Sequence, residues 1–102
     1  MINEIKEKYA DIQAFVVTGH LGVDETTPHI WRGDTLAETL SQTYPELDIT
    51  VIDGHSHTAV ESGKRYGKVI YAQTGNYLNN VGIVTAPESE PTKKTAKLIS
   101  AA

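Results

Sequence analysis

The run Asp48-Ile49-Thr50-Val51-Ile52-Asp53-Gly54-His55-Ser56-His57-Thr58 decides the fold, because its two halves follow different rules. Ile49 to Ile52 is a short apolar run of β-formers, too short for a helix and closed by Asp53-Gly54, which reads as a strand buried on both faces. Strands of that kind belong to parallel sheets. Immediately beyond it, two of the chain's four histidines stand one residue apart.

Working outward, Thr35-Leu36-Ala37-Glu38 has the pattern of a capping box, and Leu36, Leu40 and Tyr44 then fall on one helical face. Pro45 ends that helix, since the residue before a proline avoids helical geometry. Upstream again, Ala14 to Val17 ("AFVV") reads as a second strand buried on both faces. Strand, helix and strand form a βαβ unit, with parallel strands and a right-handed crossover. Ile2, Ile5, Tyr9 and Ile12 share one face of a short N-terminal helix. Downstream, Lys68 to Gln73 and Val81 to Thr85 read as two more strands joined by the turn-rich "TGNYLNN". The fold class is therefore α/β, a βαβ unit with additional strands, spanning residues 1–85. Residues 86–102, with two prolines and small or charged side chains, read as a tail or linker with at most a weak helix from Thr92.

The chain's 102 residues suit one domain. A formal net charge of -4 gives no electrostatic footprint for nucleic acid, which is not expected as a partner. Cysteine is absent, so disulfides, thiolate catalysis and cysteine-based zinc sites are excluded. Met1 to Ile12 carries acidic residues throughout and lacks the apolar centre of an export signal. No segment approaches the ~20 apolar residues of a membrane span.

The chemistry lies with the histidines. His20 follows the first strand, and His55 and His57 follow the second, so parallel strands bring all three to one sheet edge, where open α/β sheets hold their ligands. Imidazole is the commonest nitrogen ligand for divalent transition metals. Gly19 and Gly54 precede His20 and His55 and are read as permitting the sharp exits that aim them. The alternative is that the histidines are surface or capping residues and the glycines ordinary turn residues. Asp53 is read as an Asx-type turn residue, with orientation of a histidine as its other role. Trp31 and Arg32 are in reach of a ligand, but the reading adopted for Trp31 is half-buried packing; Asp24, Glu25 and Asp34 are read as solvated loop or cap residues. His29, after Pro28 in a polar loop, carries no such argument.

Three stretches resemble the calcineurin-like metallophosphoesterases, and within them the 5′-nucleotidase group: "FVVTGHLGVDE", "DITVIDGHSHT" and "VIYAQTGNYLNNVGIV". The resemblance runs from about Phe15 to Val84. It implies half of an αββα sandwich, with His20 and His55 serving one metal of a dinuclear centre and His57 the other. Two divalent ions (manganese, zinc, iron or cobalt) would polarise a phosphate ester and supply a hydroxide nucleophile. It implies a nucleotide or other phosphate ester as substrate of the intact parent, and an extracellular, cell-surface or periplasmic location. No Gly-Asn-His occurs here, and the one Asp-x-His (Asp53-Gly54-His55) and the one Gly-Asp (Gly33-Asp34) lie within or between the stretches already matched. The family's leading Asp-x-His, Gly-Asp and Gly-Asn-His motifs, which supply the bridging carboxylate, a ligand Asn and the catalytic His, are therefore expected upstream of Met1. The chain is therefore expected to be the second half of a phosphoric ester hydrolase domain, needing the missing half as partner and inactive alone.

Two rivals stand beside this. The metal-dependent amidohydrolases carry a similar Asp-x-His-x-His, but a (β/α)₈ barrel needs ~200 residues or more and places the motif near its start. The other is a non-catalytic α/β metal-binding or interaction module with structural histidines.

Overall fold

A computed structural model describes residues 1–101; Ala102, the last residue of the expected tail, lies outside the described residues. Helix α1 spans Ile2–Lys8 and leads into strand β1, Ala14–Thr18; helix α2 spans Gly33–Thr43 and leads into β2, Asp48–Ile52. Then follow β3 (Lys64–Tyr66), β4 (Val69–Ala72), β5 (Asn80–Thr85) and β6 (Thr95–Ser100). Strands β1 and β2 pair in parallel with Ala14 opposite Asp48. β4 adds in parallel on the other side of β2, and β3 closes that side as an antiparallel partner, giving the order β1-β2-β4-β3. β5 and β6 form a separate antiparallel sheet.

Residue alternation along β2 and β4 builds three layers. Ile49, Val51, Val69 and Tyr71 point to α2 and the connection that follows it, where Ala37 of the helix and Leu47 of the connection are wholly buried and Leu40 and Tyr44 pack against them. Each such aliphatic side chain contributes about 1.5–3 kcal/mol through burial. The intervening residues Ile52 and Ala72 face the β5–β6 sheet, meeting Ile83, Ala96 and Leu98 around a small apolar pocket. β2 is thus covered on both faces, as its composition predicts.

Four expectations are corrected. β1 is an edge strand among the described residues, not a strand buried on both faces: its burial alternates, and Val16, on the face away from Phe15 and Val17, is 68% exposed. No capping box forms at α2, which starts two residues before Thr35; the Thr35 hydroxyl donates instead to the His29 carbonyl at 2.6 Å. Trp31 is 65% exposed rather than half-buried. The segment expected as a tail holds β6, and no helix from Thr92 beyond the short 3-10 turn Pro91–Lys93. Lys94 carries the reason. Its ammonium, wholly buried, reaches Asp48 at 2.6 Å and the Ile49 carbonyl at 2.6 Å, pinning the start of β6 onto β2. Arg65 of β3 donates to the carbonyls of Thr92 and Lys94. Strand β3 itself is a further addition, folded back on β4 through Gly67, whose φ of 58° suits a two-residue hairpin turn. Among the described residues no helix is long and apolar enough to cross a membrane.

Candidate metal-binding site

Because β1, β2 and β4 run parallel, the loops after Thr18, Ile52 and Ala72 leave from one edge of the sheet. The ladder continues briefly past the strands, with Gly19 donating to the Ile52 carbonyl and Asp53 to the Ala72 carbonyl. His20 and His55 then lie side by side, ring centroids 5.1 Å apart and planes inclined at 67°. The backbone between them is close: a Cβ on Gly54 would stand 3.4 Å from His20 Nδ1. His57 is not part of that pair. Its ring turns against Tyr77, at 5.5 Å between centroids.

The backbone turns at the histidines themselves. His55 and His57 have φ of 83° and 54°, in the left-handed region, as does Tyr77 at 57°. Gly19 and Gly54 adopt no such angle, so they are not the hinges that the sequence suggests; the left-handed glycine here is Gly22, at 86°. Side chains held this way cost of order 1 kcal/mol or more each, and such positions gather at functional sites.

Asp53 sits beneath both loops, and its role is more than an Asx turn. One carboxylate oxygen accepts the Leu21 amide at 2.7 Å; the other accepts the Gly22 amide at 2.9 Å and the Tyr71 hydroxyl at 2.8 Å. Burial pushes the Asp53 carboxyl up, but the amides of Leu21, Gly54 and Gly22 and the Tyr71 hydroxyl outweigh it and hold it below the usual carboxylate range. The Tyr71 hydroxyl is pushed far above its ordinary value, by burial first and then by this bond, so it stays a neutral donor. The first residue of α2 also abuts this carboxylate: a Cβ on Gly33 would fall 2.1 Å from Asp53 Oδ2. Glycine is the residue that fits.

Asp24, read from sequence as a solvated loop residue, lies near the pair. A Cβ on Gly22 would be 3.1 Å from the His55 ring and 3.5 Å from Asp24 Oδ1. The hydroxyls of Thr26 and Thr27, with a smaller contribution from His55, hold its carboxyl below the usual range. Asp34 pairs with Lys64 at 3.4 Å. The His29 carbonyl accepts from the Thr35 hydroxyl and the Arg32 amide.

Two adjacent imidazoles are a borderline-soft nitrogen donor set suited to zinc and neighbouring transition metals. Among the described residues no three of His, Asp and Glu are gathered into a single metal-holding group.

The fold and this edge define a small mixed α/β domain carrying a histidine pair at the carboxyl ends of parallel strands. No family model, curated protein or solved structure matches the chain.

Proposed function

We propose that the chain is the histidine-bearing part of a metal-dependent phosphoesterase similar to the 5′-nucleotidases, cleaving a nucleotide or related phosphate ester when its catalytic domain is whole. The observation that carries this reading is the placement of His20 and His55, 5.1 Å apart, over the ends of two parallel strands. In this reading its mixed α/β layers are one side of an αββα sandwich. In this reading His20 and His55 hold one divalent ion and His57, once turned from Tyr77, contributes to a second. Such an ion pair supplies Lewis-acid polarisation of the phosphate and activation of water. This chain's own residues do the holding: the left-handed backbone at His55 and His57 aims the rings, and Asp53 fixes the loop that carries His20. The carboxylate that bridges the ions and the general acid come from the other half of the domain.

Calorimetric titration with zinc and with manganese tests the reading. Weak binding is expected for the wild type, abolished by His20→Ala or His55→Ala and reduced less by His57→Ala. A folded chain that binds neither metal would sink it. Aryl phosphate with added manganese should show negligible turnover. Turnover that disappears in His55→Ala would overturn the half-domain assignment.

A further inference from the structure

We propose that Asp53 is the positioning residue of this site, setting both histidine loops through one chain of hydrogen bonds with a buried centre; the metal role of the histidines rests on the function proposed above. The chain starts at the two main-chain amides that follow His20, those of Leu21 and Gly22, both accepted by the Asp53 carboxylate. It passes through the Tyr71 hydroxyl to Gln73, whose amide nitrogen donates to that hydroxyl at 2.8 Å. Gln73 Oε1 then accepts the Thr58 amide at 2.8 Å and the Ser56 hydroxyl at 3.3 Å, the residues flanking His57. Ser56 Oγ closes the circuit by accepting the Val23 amide at 3.1 Å, back in the His20 loop.

The centre of the chain is out of solvent, with Asp53 9% exposed, Gln73 2% and Tyr71 1%, while its ends at Leu21, Val23, Ser56 and Thr58 are partly buried. No buried side-chain polar atom among the described residues lacks a partner. A network satisfied this fully fixes one arrangement, because in the interior a broken link leaves a costly unpaired group. The carboxylate is chemically required. Its two oxygens accept three donors, whereas an asparagine would turn its own NH₂ on at least one of them. Hydrogen-bonded partners behind metal ligands typically carry a 10–100-fold effect on affinity.

The experiment compares wild type with Asp53→Asn, Tyr71→Phe and a remote destabilising control, Val69→Ala, using two readouts. The first needs no metal: the proton–proton Overhauser contact between the His20 and His55 rings, with the Leu21 and Gly22 amide shifts. The second is the dissociation constant for zinc, taken on the folded fraction. Asp53→Asn is expected to lose the ring contact, move both amide shifts and bind zinc about 10–100-fold more weakly. Tyr71→Phe, which keeps both amide bonds, loses less. Val69→Ala lowers stability and leaves both readouts unchanged, as a merely structural effect would. Retention of the ring contact in folded Asp53→Asn, with zinc affinity within about twofold of wild type, overturns the proposal. If Asp53→Asn does not fold, Tyr71→Phe decides on the same two readouts. Should wild-type protein bind no zinc while Asp53→Asn still loses the ring contact, the positioning role stands and the metal reading falls.

Discussion

His57 shows what single residues contribute at this edge. Its ring is exposed and touches Tyr77, while its backbone occupies the left-handed region at φ 54°. Glycine occupies that region at no steric cost, and an L-residue gives up about 1 kcal/mol there. We therefore expect His57→Gly to raise stability by about 0.5–1 kcal/mol, the strain relieved outweighing the extra freedom of the unfolded chain. Urea denaturation, read at the midpoint with unchanged slope, checks this; a loss of stability would show that the Tyr77 contact outweighs the backbone term. The histidine positions were legible in the sequence, from strand ends and spacing. The angle at which the chain bends was not. Gly54 looks like the hinge, yet its amide is turned back on Asp53, and the bend passes to the next residue.

Among the elements, β6 is the least evident from sequence. Ala96 and Leu98 alternate with Thr95 and Lys97, a strand period, but the prolines and charges before them mask it. The strand exists through its pairing with β5 and through Lys94, whose partner Asp48 is remote in the chain and unreadable from local pattern. Burial pushes the Lys94 ammonium below its ordinary value, and the Asp48 carboxylate offsets that only in part. Lys94→Ala leaves Asp48 without its cation and opens a gap beneath β2. We expect it to cost ~3 kcal/mol, in the range for breaking one side of a buried pair. Thermal unfolding gives the size of the loss, and amide exchange should show the Thr95–Ser100 strand losing protection first. The βαβ unit, by contrast, was readable because β2 carries a continuous apolar run and α2 an apolar stripe; neither depends on a remote partner. The α2 start was not, since His29 captures the hydroxyl that the capping pattern assigns to Glu38's end of the helix.

For the molecule as a whole, Asp53 makes stability depend on acid. Its carboxyl is held below its ordinary value in the folded state, so its contribution is complete above the unfolded pKa near ~4 and is lost as pH falls through the lower folded value. Chemical denaturation at a series of pH values between about 2 and 6 should show stability dropping below about pH 4, and Asp53→Asn should flatten that drop. Asp24 and Glu46 titrate in the same direction, Asp24 through Thr26 and Glu46 through its own backbone amide, but Asp24 is only partly covered and Glu46 stands in solvent, so both add little. The layered α/β plan follows from apolar runs alone, whereas the detached β5–β6 sheet and the open β1 edge depend on which strands find partners.

The bond from the Leu21 amide to Asp53 joins residues 32 positions apart. No short peptide can make it. Parallel pairing between β1 and β2 closes a long loop before any contact is gained, which places it late in folding. The histidine pair is consequently expected to come together only with that sheet, and a metal held as proposed above would select the finished sheet over forms in which the two strands are apart.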